Sequence, residues 1–219
     1  MLEKELDMRL PAVVFAVALT SLAQVASAAP GVELSTAPKG CQAVAQIPRS
    51  ARIADPAFSA RVSAASCVVD GALARVPLSD TDASIQALGS AAAPTIATFD
   101  EVASRGGPQW QIVALYMKAD VLAGMQTRLR NSLPTVSQES SLDAALAIEQ
   151  RHQALDRKLE PWAAEETAAF RRITQLAIAN PRLASADPVL EYMVREAAAY
   201  TIMEQAAEQP RASSSASAR

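Results

Sequence analysis

The residues with the clearest spacing for metal binding surround the single histidine of the chain. Glu149, His152 and Asp156 follow one another at steps of three and four residues, which on a helix places their side chains on neighbouring faces. Carboxylate and imidazole groups in this arrangement can give three ligands to a zinc or iron ion. A carboxylate-bridged di-iron site is excluded, because it needs a second Glu-x-x-His pair. The competing interpretation is that His152 hydrogen-bonds Asp156 or Glu166 at a helix seam.

Sequence signatures of catalysis and cofactor binding are sparse. No serine lies in a Gly-x-Ser-x-Gly elbow, and the chain has no phosphate-binding glycine loop, no Cys-x-x-Cys-His motif and no basic-aromatic alternation. Gln138-Glu139-Ser140 resembles the start of the motif of lytic transglycosylases, an exported all-helical family whose glutamate is a general acid. The glycine-rich segment that follows in that family is missing here. We predict no cofactor and favour a non-enzyme.

The N-terminal residues have the three zones of a secretory signal peptide. Arg9 gives a positive start, residues 11–25 form an almost uncharged apolar stretch, and Ala26-Ser27-Ala28 supplies small residues for cleavage before Ala29. Because acidic residues precede Met8, we predict that Met8 is the true start. The apolar run is shorter than the roughly 20 residues of a membrane helix. We therefore expect a periplasmic or secreted protein without a membrane anchor.

Cys41 and Cys67 are the two cysteines of the chain. Two cysteines in an oxidising compartment are expected to pair, so we predict a disulfide between them. The bridge would hold an N-terminal arm, residues 29–54, against the first long helix, and it would stabilise the fold by roughly 3–4 kcal/mol in the chain-entropy model. A redox-active pair is disfavoured, because such pairs use the closer Cys-x-x-Cys spacing.

Helical periodicity dominates the rest of the chain, and strand-like alternation is almost absent. The pattern predicts an all-α fold: a single domain of five to seven antiparallel helices, built as a bundle or as a stack of helical hairpins. Proline and glycine signals place the long helices at about residues 56–76, 80–104, 108–131, 142–179 and 188–208. The predicted organisation is a signal peptide, an N-terminal arm, a helical domain and a disordered tail, at residues 1–28, 29–54, 55–208 and 209–219.

Details within these helices predict how they pack. The helix at residues 108–131 is apolar around most of its circumference and should run through the middle of the fold. Pro94 and Pro161 should kink or break their helices. Residues at alternating steps of four and three form one apolar stripe, which is Ile148, His152, Leu155, Leu159, Trp162, Glu166, Ala169 and Ile173.

Three polar residues interrupt these apolar surfaces. Lys118 and Asp120 lie in the central helix, and Glu166 lies on the stripe. Each either lines a ligand pocket or emerges at an edge with its charge in water.

Two segments resemble tetratricopeptide helical hairpins. The first has Trp110 with Val113, Ala114 and Tyr116, and the second has Ala169-Phe170 with Ile173, Leu176 and Asn180-Pro181. The aromatic residue of the first comes one position early, the proline of the second comes late, and no 34-residue period connects them. The resemblance implies a concave protein-binding surface and no catalysis.

Charge gives no reason to expect nucleic acid or an anionic membrane as a partner, since 20 basic and 23 acidic residues leave a net charge of −3. We predict an exported, non-enzymatic scaffold or protein-interaction protein, with a groove or apolar patch beside residues 142–179. The first alternative is a helical protein that binds a small ligand or a single metal ion through Glu149, His152 and Asp156. The second is an exported helical enzyme, such as a glycan-cleaving one, which predicts a cleft with at least two converging charged groups.

Overall fold

The computed structural model describes residues 47–137, 140–185 and 187–216. Within these ranges the chain is helical with no strands, which confirms the predicted fold class. Seven helices follow one another in the described parts: α1 (Arg49–Ala54), α2 (Pro56–Leu73), α3 (Asp82–Arg105), α4 (Pro108–Asn131), α5 (Leu142–Ala179), α6 (Pro181–Ala184) and α7 (Pro188–Ala216). In the same ranges, no helix is both long and apolar enough to cross a membrane.

Several predicted features lie outside the described residues. They are the signal peptide with its cleavage positions Ala28 and Ala29, the cysteine Cys41, and the Gln138-Glu139 part of the transglycosylase-like segment. Cys67 lies half-buried on α2. The Cys41–Cys67 disulfide therefore stays a prediction.

Helix α4 lies at the centre of the fold, as its apolar circumference predicts. It packs against α2, α3, α5 and α7. Its buried residues cover most of the helix circumference, apart from the face of Tyr116, Asp120 and Ala123, and are Trp110, Ile112, Val113, Ala114, Met117, Lys118, Ala119, Leu122, Met125, Gln126 and Leu129. Because each neighbouring helix buries an apolar face against α4, this helix joins the separate contacts into one core.

The core consists of two hydrophobic clusters along α4. One surrounds the first half of α4 and includes Phe99 from α3, Ile173 from α5 and Met193 from α7. The other surrounds its second half, where Met125 and Leu129 meet Leu88, Leu155 and Leu159. The inward residues of α5 follow the predicted stripe, since Leu155, Leu159, Glu166, Ala169 and Ile173 are all buried.

Residues 47–54 differ from the predicted arm. They include α1, and Ile47 and Ala51 are 1% and 0% exposed in the first core cluster. Ser50 is held from the far end of the chain, because its hydroxyl donates to the Asp187 carboxylate at 3.2 Å. A short helix between two prolines gives little periodic signal, so packing rather than local sequence defines it.

Neither predicted proline breaks its helix, because α3 continues through Pro94 and α5 continues through Pro161. A proline removes one helical hydrogen bond and crowds the preceding turn. Buried residues on both sides outweigh that cost, with Ala92 and Thr95 beside Pro94. At the other end of the fold, α7 extends to Ala216, well past the predicted helix end at Glu208.

The turn between α3 and α4 occurs at Gly106-Gly107-Pro108, where the glycine and proline signals place it. Neither glycine adopts the left-handed conformation that often ends a helix. Gly106 has φ −73° and Gly107 has φ −63°, which any residue can adopt. What Gly106 provides is space, because a Cβ atom there would lie 2.6 Å from Trp110 Cβ and 2.8 Å from Val102 O.

We predict that Gly106→Ala lowers the free energy of unfolding by about 1–3 kcal/mol, because the added methyl group would clash with the Trp110 side chain and the Val102 carbonyl oxygen. Gly124→Ala is the matched control, since a Cβ atom at Gly124 meets nothing within 4 Å. Removing a glycine from the interior of a helix should raise stability by roughly 0.5–1 kcal/mol. Urea unfolding of the two variants measures both effects, and equal responses would contradict the packing explanation.

Candidate functional site

The three candidate metal ligands do not converge. His152 Nε2 lies 3.0 Å from the carbonyl oxygen of Pro134, and the exposed Glu149 accepts a hydrogen bond from Gln153. Asp156 forms an ion pair with Arg130, with 2.9 Å between Oδ1 and Nε. Among the described residues, no group of three His, Cys, Asp or Glu side chains could hold a metal ion. His152 also bonds neither Asp156 nor Glu166 in the way that the competing interpretation expects.

Lys118 is buried and fully compensated. Its Nζ lies 2.8 Å from Asp100 Oδ1 on α3 and 2.5 Å from Glu165 Oε1 on α5. Burial opposes the charge of Lys118, but the hydrogen bonds to both carboxylates outweigh burial, and its pKa is raised above the usual lysine value. The lysine therefore links three helices, α3, α4 and α5. It neither lines a described pocket nor places its charge in water, which were the two expectations for it.

A pocket of about 210 Å³ opens where α4, α5 and α7 meet. Three of its lining residues are acidic, three are aromatic, and none of those described is basic. The lining residues are Tyr116, Asp120, Ala123, Glu166, Phe170, Glu196, Ala199, Tyr200 and Met203. We call this site the acidic pocket.

Helical spacing explains why these residues meet. Each wall is one stripe of a helix, with positions three or four residues apart pointing the same way. On α4 the stripe is Tyr116, Asp120 and Ala123, and on α5 it is Glu166 and Phe170. The small side chains of Ala123 and Ala199 leave the space that the aromatic rings surround.

Glu166 lines the acidic pocket and is 8% exposed. Gln126 Nε2 donates to its Oε2 at 2.7 Å, and none of the described Lys, Arg or His side chains forms an ion pair with it. Burial raises the pKa of Glu166, Glu204 and Asp120 raise it further, and the Gln126 hydrogen bond and Arg130 oppose them. A buried carboxylate without a countercharge is costly.

The other carboxylates of the acidic pocket reinforce its negative charge. Asp120 lies at the exposed rim. Nearby protein atoms displace part of its hydration water and raise its pKa, and the negative charges of Glu196 and Asp70 raise it further. Glu196 accepts a hydrogen bond from the Tyr116 hydroxyl. Burial and then this hydrogen bond raise the pKa of Tyr116 well above its usual range, so the phenol stays a donor.

Aromatic rings form the apolar wall of the acidic pocket. The Phe170 and Tyr200 centroids lie 4.6 Å apart, and the Tyr116 and Phe170 centroids lie 6.3 Å apart. Tyr192 packs against Tyr116 at 6.4 Å. The site therefore gathers all three tyrosines of the chain.

Sequence reasoning found part of this site. Asp120 and Glu166 line a pocket, which was one of the two expectations for polar residues on these apolar surfaces. Glu196 and the tyrosine cluster were missed, because Tyr116 and Tyr200 look like ordinary core residues when each helix is considered alone. Met203 also lines the pocket, although it is 64% exposed. A usable signal was the confinement of all tyrosines to α4 and α7.

Comparison with known proteins gives no match to a family model, to a curated protein or to a solved structure.

We predict that Glu166→Gln raises the free energy of unfolding at pH 7 by about 0.5–2 kcal/mol. The amide keeps an acceptor for Gln126 while the buried charge disappears. Since the folded pKa of Glu166 lies above the unfolded value of 4.5, ionisation penalises the folded state. The gain should therefore be absent below about pH 4 and should grow as the pH rises through the folded pKa.

The neighbouring substitution Glu165→Gln is the matched control, because it removes the same charge from a carboxylate that has a partner. It weakens the compensation of Lys118 and should lower stability by about 1–2 kcal/mol. Thermal unfolding at pH 4 and pH 7 compares the two variants. A loss of stability in Glu166→Gln at pH 7 would show that the charge of Glu166 is already satisfied.

Proposed function

We propose that this chain is a non-enzymatic binding protein and that the acidic pocket holds a cationic group of its ligand. The observation that carries the proposal is the buried Glu166 carboxylate, which lines an open pocket and forms no ion pair with a described residue. Among the described residues, the hydrogen-bond donor to Glu166 is the Gln126 amide, and a bound cation would offset the cost of the buried charge. A ligand that restores the missing partner gains affinity from the same source.

The aromatic wall supports the same ligand class. The faces of Tyr and Phe rings attract cations that approach within about 6 Å of the ring centre. Phe170, Tyr116 and Tyr200 supply such rings beside the carboxylates of Asp120 and Glu166. Anionic and purely apolar ligands fit this combination poorly, because the first are repelled and the second leave the carboxylate unpaired.

A second candidate is acid–base catalysis, because Asp120, Glu166 and Glu196 converge in one pocket. A carboxylate pair that divides acid and base roles needs environments that move the two pKa values apart. Here partial loss of solvation raises the pKa of both Asp120 and Glu166, and Glu196 is engaged by Tyr116. Binding is therefore the better-supported function.

We also propose that the protein works after export, in the periplasm or outside the cell. When the full chain is expressed in a bacterial host with a periplasm, intact-mass spectrometry of that fraction should give a mature protein that begins at Ala29. Peptide mapping without reduction should give a Cys41–Cys67 linked pair. A full-length chain with two free thiols, retained in the cytoplasm, would contradict the proposal.

We expect methylguanidinium and butylammonium to bind the acidic pocket, with affinity that falls as salt concentration rises. Backbone amide shifts in NMR titrations should map to the pocket segments of α4, α5 and α7. The neutral counterparts methylurea and butanol should give no comparable shifts. Similar shifts from the neutral probes would contradict recognition by charge.

Two charge-removing variants locate the site of binding. Asp120→Asn and Glu166→Gln should each weaken cation binding by about tenfold, which corresponds to one charge-assisted hydrogen bond. Glu149→Gln is the control, because it removes an exposed carboxylate from α5 that does not line the pocket. If all three variants bind the cations equally, the pocket is not the site.

A further inference from the structure

The size of the acidic pocket limits what can enter it. Its volume is about 210 Å³, below the roughly 300–1,000 Å³ of sites that enclose whole drug-sized ligands. Such a space accommodates one long side chain or a very small amine. The kind of cation that the pocket takes is a question that rests on the proposed function.

The surroundings of the acidic pocket favour a ligand larger than the pocket itself. Met203 lines it and is 64% exposed, and Tyr192, beside Tyr116, is 49% exposed. Exposed methionine and tyrosine side chains are enriched where proteins contact one another. A ligand that fills the pocket and also covers Met203 and Tyr192 must extend beyond the pocket. A polypeptide with one side chain in the pocket has this shape.

The carboxylates are arranged for a cation with several donors. Asp120, Glu166 and Glu196 come from three different helices, α4, α5 and α7. A guanidinium group presents five N–H donors in a planar fork and stacks on aromatic faces, whereas an ammonium group is a compact point charge. The flat group suits carboxylates that approach from several directions beside the Phe170 and Tyr200 rings.

Two basic residues on the helices that form the acidic pocket, Arg130 and Arg195, have partners of their own. Arg130 is paired with Asp156 and donates to Gln126 Oε1. Arg195 lies over the Tyr192 ring, 6.0 Å from its centroid. Neither residue lines the pocket.

We propose that the acidic pocket receives an arginine side chain of a partner protein, whose backbone crosses α7 at Met203 and Tyr192. The three carboxylates hold the guanidinium group and the aromatic wall covers its face. The exposed methionine and tyrosine contact the residues that flank the arginine in the partner.

Three short capped peptides test this inference: Leu-Arg-Leu, Leu-Lys-Leu and Leu-citrulline-Leu, titrated into the full chain and followed by NMR. We expect the arginine peptide to bind at least about tenfold more tightly than methylguanidinium, the lysine peptide and the neutral citrulline peptide. Met203→Ser should weaken the arginine peptide several-fold. Ile178→Ser should not, because Ile178 is equally apolar and is 76% exposed on α5 without lining the pocket.

The outcomes separate this inference from the proposed function. Binding of methylguanidinium without any gain from the peptide overturns the protein partner and leaves the cation site intact. Equal affinity for the lysine peptide overturns the assignment to arginine. Absence of binding by every cationic probe overturns both proposals.

Discussion

The central position of α4 constrains the rest of this protein. Four helices pack against it, so any polar residue on α4 either needs a partner from a neighbouring helix or lies in a solvated gap between helices. The chain uses both solutions. Lys118 has two carboxylate partners, and Asp120 lies at the mouth of a gap between α5 and α7. The acidic pocket is thus a consequence of how the helices around α4 are spaced.

Two adjacent residues of α5 show how differently the fold treats similar charges. Glu165 neutralises the buried Lys118, whereas Glu166 points to the other side of the helix and has an amide as its partner. One carboxylate has a cationic partner, and burial raises the pKa of the other. Buried groups that weaken the folded state are common at binding sites, because the ligand supplies the interaction that the protein lacks.

Much of the helical framework could be predicted, because it follows from local rules. α2 begins where the proline signal places it, and the Asp55 carboxylate caps it by accepting a hydrogen bond from the Phe58 amide at 3.0 Å. The turn before Pro108 and the inward stripe of α5 also appear where periodicity places them. What local signals did not give is α1, the survival of α3 and α5 as single helices through Pro94 and Pro161, and the extent of α7. Each of these depends on packing or on helix propagation, which residue-by-residue signals do not contain.

The sequence by itself determined the fold class, the central position of α4 and the suspicion that Asp120 and Glu166 are unusual. Only the tertiary structure decided that Asp120 and Glu166 share a pocket with Glu196, Tyr116 and Tyr200, while Glu149, His152 and Asp156 stay apart. The reason is geometric: helical spacing predicts which residues share a face within one helix. It carries no information about which faces of α4, α5 and α7 meet, or about how far apart small residues such as Ala123 and Ala199 leave them.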